Sequence, residues 1–185
     1  MRSTGIPLLA VPLSDGIVSL RCRRASDLDA ISDASFDPET RRWLTDPPMD
    51  AKARAASMER AAEAFVTGRS APLMIADHGT GEPIGLINLQ FRDDGVATIA
   101  YSVFPGHRGK GVAPRAVRLM AEWAFGPLGL AELLLEIDPQ NVASVRVAEK
   151  CGFELSEAGA NSSGKLVFTA RKRETGAPPD AASGA

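Results

Sequence analysis

Alternation of apolar and polar positions divides the chain into strands and helices. Between Ile17 and Arg23, Val18, Leu20 and Cys22 alternate with Ser19, Arg21 and Arg23, the period of a strand with one buried face. Ser26 reads as the N-cap of a helix through Leu28 and Ile31, with Asp27 and Asp29 in a first turn that favours carboxylates. Pro38 and the pair Pro47-Pro48 bracket Asp37 to Leu44, a short helical turn inside a loop. Asp50–Thr67 carries Met58, Ala62 and Phe65 at helical spacing and stops at Gly68, which predicts one helix. The period then changes. Pro72–Ala76 and Pro83–Phe91 flank the hairpin turn His78-Gly-Thr-Gly81, Asp93-Asp94-Gly95 makes the next turn, and Val96–Phe104 is a third strand. Val112–Phe125 reads as a helix that tolerates Pro114 in its first turn and closes at Gly126-Pro127. Leu133–Ile137 is nearly continuous in apolar residues, the pattern of a strand buried on both faces, and Asp138-Pro139 ends it. Asn141 caps a helix to Lys150, which Gly152 terminates. Phe153–Leu155 and Leu166–Arg171 form a last strand pair joined by the polar turn Ala158 to Gly164.

This alternation of helices with a strand meander predicts an α/β fold. A length of 185 residues suits one domain with a real core. Residues 1–16 read as an N-terminal arm, 17–173 as the single domain, and 174–185, rich in Ala, Gly, Pro and Ser, as a disordered tail. A net charge of −2 argues against non-specific nucleic-acid binding, which needs a basic surface. Cys22 and Cys151 have no metal-ligand spacing and read as free thiols; with only His78 and His107, no metal site is expected. No apolar run approaches the ~20 residues of a membrane span. The apolar stretch from Ile6 to Leu13 holds two prolines and no cleavage site, so a cytoplasmic monomer or homodimer is expected.

The chemistry gathers at Tyr101 to Ala113, where a strand enters a glycine-rich turn and a helix begins. Such a turn aims several backbone N–H groups at one point, and the helix dipole adds positive charge there. Gly106, Gly109 and Gly111 let the backbone curl close to a ligand, and Arg108 and Lys110 add two cations. Phosphate or pyrophosphate is the natural guest. The spacing is not that of a Walker A loop, nor of a dinucleotide-binding fingerprint.

Arg108-Gly-Lys-Gly-Val-Ala113 fits the Arg/Gln-x-x-Gly-x-Gly/Ala signature of the GNAT superfamily of acyl-CoA-dependent N-acyltransferases. The chain resembles its RimJ/RimL branch of ribosomal-protein N-terminal acetyltransferases. Leu20-Arg-Cys-Arg23, Asp37 to Leu44, Ala97–Val103, Asn141 to Ser144 and Glu149 to Phe153 carry the likeness over residues 17–171. The resemblance implies a mixed, mostly antiparallel twisted sheet of about seven strands with about four helices. It also implies a splay between the strand ending at Phe104 and the strand Leu133–Ile137. Acetyl-CoA would lie in that gap as cosubstrate, its pantetheine amides beside Val103 and Phe104. Its pyrophosphate would rest on Arg108, Gly109, Lys110, Gly111, Val112 and Ala113, and Asn141 would touch the pantetheine arm. An amine would attack the thioester directly, with Ser144 assisting the leaving thiolate and Phe36, Trp43 and Tyr101 lining the acceptor side.

Two departures from the family pattern leave the acid–base chemistry open. Thr98 stands where relatives often carry a glutamate, and Ala148 where many carry a tyrosine. Glu136, a carboxylate late in an apolar strand, is the best candidate base, ahead of Asp138, Glu82 and Asp93. Neutralising an α-amine at pH 7 costs only about 1 kcal/mol, against roughly 4.6 kcal/mol for lysine, so a weakly basic amine suits a site without a strong base. The acceptor is then a protein N-terminal α-amine or a small-molecule amine. A non-catalytic acyl-CoA-binding module and a nucleotide-dependent phosphotransferase are the rival readings.

Overall fold

The computed structural model describes residues 6, 9–44, 47–92 and 95–172. Among these, eight strands form one sheet in the order β1-β2-β3-β4-β5-β6-β8-β7, where β1 is Leu13–Ser14, β2 Val18–Cys22, β3 Ser70–Asp77, β4 Pro83–Phe91, β5 Val96–Val103, β6 Glu132–Ile137, β7 Glu154–Ala160 and β8 Leu166–Arg171. The helices are α1 Leu28–Phe36, α2 Pro38–Trp43, α3 Ala51–Ala55, α4 Ser57–Val66, α5 Val112–Phe125 and α6 Val142–Lys150. All strand pairs are antiparallel except β5 with β6.

The sheet divides two cores by simple alternation. Leu73 and Ile75 of β3, Ile87 and Leu89 of β4, Ala97 and Ile99 of β5, and Leu133, Leu135 and Ile137 of β6 pack with Val117, Met120 and Trp123 of α5 and Ala148 of α6. Met74 and Phe104 face the other way and form a smaller core with Ile31 and Ala34 of α1. Phe104, expected beside the pantetheine arm, is therefore buried on the opposite face, where it pins the end of β5.

Several expectations need correction. The arm contributes β1, which pairs with β2, and Ile6 is buried with its N–H donating to the Phe65 carbonyl at 2.9 Å. The expected single helix over Asp50–Thr67 is two, turning at Ala56; buried Ser57, which opens the second, accepts from the Arg23 guanidinium at 2.6 Å. Ser26 caps nothing; a 3₁₀ turn over Ala25–Asp27 leads into α1, and Asp27 accepts the Arg24 N–H at 2.7 Å. β6 is not buried on both faces: Leu134 and Glu136 are half-buried, since that face lacks a full cover. β7 runs on to Ala160 through an irregular register with β8, five residues past the expected end at Leu155. The proposed tail at 174–185, and Asp93 and Asp94 of one turn, lie outside the described residues.

A buried ion pair joins α1 to the sheet. The Arg21 guanidinium grips both carboxylate oxygens of Asp27 at 2.7 and 2.8 Å and donates to the Gly81 carbonyl at 3.0 Å. Burial alone would raise the Asp27 pKa; the Arg21 and Arg24 hydrogen bonds outweigh it and hold the carboxyl below its usual range. Removing one partner of such a pair strands a buried charge, so Asp27→Ala is expected to cost about 3–5 kcal/mol in urea unfolding. Because the folded pKa is depressed, this contribution is complete above the ordinary carboxylate range. It is lost as pH falls through the folded value, so the gap between wild type and variant narrows below about pH 4.

Candidate active site

The parallel pairing of β5 with β6 covers only Val96↔Glu132, Ala97↔Leu133 and Thr98↔Leu134. Beyond Thr98, β5 stays on β4 as far as Val103, and β6 stays on β8 as far as Ile137. The strands part, as the resemblance implied. The Phe104 N–H turns to the Ile84 carbonyl of β4 at 2.9 Å, so by strand alternation the peptide groups of Tyr101 and Val103 face the opening. The Tyr101 peptide and the Val103 N–H are placed there to pair with an extended amide chain, as a short added strand would, while the Val103 carbonyl accepts the Arg108 Nε–H at 3.1 Å.

The glycine loop stands at the top of this opening. Gly106, Gly109 and Gly111 hold φ of +81°, +72° and +76°, a region that a side chain enters only with strain. A Cβ at any of them would meet nothing within 4 Å, so conformation rather than crowding requires glycine, and the space beside the loop is open. Gly111 is the N-cap of α5, and the amides of the first turn have no intrahelical acceptor. Pro114 lies in that turn, where its missing N–H costs nothing.

Loop, β5, α6 and α2 enclose a cavity of about 400 Å³. It is lined by Trp43, Tyr101, Val103, Arg108, Gly109, Gly111, Val112, Ala113, Asn141 and Ser144, all anticipated from sequence. Lys110 and Phe36 are exposed outside its lining, and Phe36 is 60% exposed. The lining also includes Glu39, Thr40 and Leu44 of the α2 segment and Arg146, Val147 and Lys150 of α6, which sequence reasoning missed. Helical spacing from Asn141 and Ser144 reaches Val147, and a helical-wheel reading of α6 would have found it.

Asn141 Oδ1 accepts the Ser144 N–H at 3.1 Å, which opens α6 and sets both residues on the cavity. The Tyr101 hydroxyl is buried with no complete hydrogen bond among the described residues. Burial pushes its pKa up to about 12, while the nearby Ser144 side chain pulls the other way. Tyr101 is therefore a neutral phenol throughout the physiological range, beside the Ser144 hydroxyl. Trp43 donates Nε1–H to Glu39 at 2.8 Å and carries the Arg42 guanidinium over its ring at 4.6 Å. Glu136 is not in the cavity lining. It lies on the sheet face that carries Thr98, where Arg92 contacts it at 3.3 Å and donates Nε–H to Thr98 Oγ1 at 3.1 Å. Among the described residues no cluster of three or more His, Cys, Asp or Glu is arranged to hold a metal ion.

Comparisons with known proteins agree with this geometry. Residues 18–154 match the model of the acetyltransferase (GNAT) domain. An uncharacterized N-acetyltransferase, p20, from Bacillus licheniformis is 25% identical over 167 residues, spanning 85% of this chain and 94% of the relative. RimJ from Mycobacterium smegmatis, solved with CoA-disulfide, superposes with a TM-score of 0.72 at 21% identity, covering 87% of this chain and 86% of that one. The spermidine N-acetyltransferase of Vibrio cholerae, solved with CoA and spermine, gives 0.70 at 19% identity, covering 85% and 97%. The splayed strands, the positive-φ glycine loop at the head of α5 and the family match over most of the chain agree: this protein belongs to the GNAT acetyltransferases.

Proposed function

We propose that the protein transfers an acetyl group from acetyl-CoA to a weakly basic primary amine, with a protein N-terminal α-amine as the preferred class. The observation that carries the donor assignment is the coincidence of the open strand edge at Tyr101 and Val103 with the glycine loop above it. Backbone amides at Gly111, Val112 and Ala113 would receive the pyrophosphate, Lys110 would supply charge at the rim, and Asn141 would steady the pantetheine arm.

The neutral amine attacks the thioester carbonyl. The developing oxyanion is met by a backbone N–H of the unpaired edge near Val103, the carbon–sulfur bond breaks, and the thiolate leaves with the Ser144 hydroxyl as its hydrogen-bond donor. Tyr101, neutral and adjacent, backs Ser144. The ammonium product of attack then gives up its proton to water. Most of the acceleration comes from holding two reactants in register. Trp43 and Leu44 of the wall give the acceptor an apolar side with an aromatic face.

The acceptor class rests on the bases available in the cavity lining: Glu39, which is engaged by the Trp43 Nε1–H at 2.8 Å, and His107, which belongs to the donor loop. Glu136, the carboxylate with the best claim from sequence, is outside the cavity lining and meets Arg92, so accepting a proton there means giving up that ion pair. An amine that is largely neutral on arrival avoids the need. RimJ and spermidine acetyltransferase superpose almost equally well, so fold alone does not choose between acceptors.

Four outcomes are expected. Gly111→Glu places a carboxylate and αL strain of about 1–2 kcal/mol at the anion site, and calorimetry should show acetyl-CoA affinity lost; unchanged affinity would put the pyrophosphate elsewhere. Ser144→Ala should lower kcat by at least about tenfold while acetyl-CoA affinity holds. Thiol release with an alanine-initiated hexapeptide should rise with pH and level off near about pH 8, as the α-amine loses its proton. Spermine and an N-acetylated lysine peptide should be poorer acceptors in the same assay, and a reversed order would reject the α-amine assignment.

A further inference from the structure

Arg108 is the first residue of the donor signature, yet its side chain does not point into the phosphate cradle. Its Nε–H donates to the Val103 carbonyl at 3.1 Å, at the free end of β5. Its Nη2 donates to Asp37 Oδ2 at 2.6 Å and to Thr40 Oγ1 at 2.7 Å. One planar guanidinium thus joins three segments: the donor loop that carries it, the strand end beside the opening, and the N-terminus of α2. Asp37 is at the same time the N-cap of α2, its Oδ2 accepting the Thr40 N–H at 2.8 Å, and Thr40 is only 6% exposed. The pair holds the Asp37 carboxyl below its usual range, with the Arg108 hydrogen bond as the largest cause.

The α2 segment presents Glu39, Thr40, Trp43 and Leu44 to the cavity, opposite α6. A helix of six residues has little stability of its own, so its placement depends on what holds it. A partly exposed ion pair contributes little to global stability. A planar guanidinium whose Nη2 meets the capping carboxylate and Thr40 while its Nε–H is held by Val103 nonetheless defines where that helix end stands.

We infer that Arg108 is a positioning residue: its guanidinium latches the α2 wall to the donor loop and the end of β5, so that donor binding orders the acceptor side. This rests on the acetyl-CoA reading of the loop. Backbone amides of the loop serve the pyrophosphate, and the Arg108 side chain serves the wall. A donor that fixes the loop thereby fixes Arg108, and through it Asp37 and Thr40, without touching α2.

Asp37→Asn is the decisive variant, because Asn caps a helix as well as Asp while removing the charge. Amide exchange over residues 39–44 is measured with and without coenzyme A. In wild type, coenzyme A should slow this exchange several-fold. In Asp37→Asn the segment should exchange faster than wild type and gain no such protection, and Arg108→Lys should behave alike, since an ammonium cannot reproduce the guanidinium's contacts. Acetyl-CoA affinity of both variants should stay within about threefold of wild type, while the KM for the alanine-initiated hexapeptide should rise at least about fivefold. Wild-type exchange in Asp37→Asn, or equal protection by coenzyme A in both proteins, overturns the latch. An Arg108→Lys loss of acetyl-CoA affinity that Asp37→Asn does not share makes Arg108 a donor ligand instead and also overturns it. If no amine is turned over by wild type, the acceptor reading fails while the exchange data still decide the latch. If coenzyme A does not bind wild type, the donor reading fails and the exchange difference without ligand decides the tether.

Discussion

The structure depends on a parallel strand pair that stops too soon. β5 and β6 share only the register from Val96 to Thr98, after which each keeps its antiparallel partner and leaves the other. Beyond Thr98 each strand follows its own antiparallel partner, and the opening is the gap between them. It leaves the Tyr101 peptide group and the Val103 N–H without a strand partner on that side, while the Val103 carbonyl accepts from Arg108. Everything around the opening serves it. Phe104 anchors the strand end from the opposite core, and α5 and α6 flank it with a helix N-terminus each. The Gly85 backbone stands so close that a Cβ there would come within 2.6 Å of the Ser102 carbonyl oxygen. That contact fixes how near β4 and β5 can run at the mouth.

Local signals in the chain account for most of the donor half. Gly111, Pro114 and Gly126 bound α5 at Val112–Phe125, and Pro83–Phe91 stands as expected between its turns, because these elements begin and end at residues with strong backbone preferences. Asn141 caps α6 as its side-chain chemistry dictates. The acceptor half was less legible. Leu-Leu-Leu-Glu-Ile reads as a strand buried on both faces, and only the open surface beside β6 turns Glu136 outward to Arg92. The break at Ala56 has no glycine or proline to announce it. Asp37 and Arg108 lie 71 residues apart, and no periodicity links an N-cap on one helix to a cation in a distant loop.

Two guanidiniums hold the same arm of the fold from opposite ends. Arg21, buried in β2, clamps Asp27 where α1 begins; Arg108 clamps Asp37 where α1 gives way to α2. The first is dry and carries stability, whereas the second is partly open to water and carries position. One contact ties the start of α1 into the core, and the other ties the start of α2 to the rim of the cavity.

The two tryptophans divide along the same line. Trp123 is sealed in the main core on α5, while Trp43 is half-buried on the wall, hydrogen-bonded to Glu39 under the Arg42 guanidinium. Their surroundings differ in exposure, and Trp43 sits on the segment that Arg108 of the loop contacts. The molecule thus carries an intrinsic optical reporter on its cavity wall, with the buried indole as an internal reference against which the wall's solvent exposure can be followed in time.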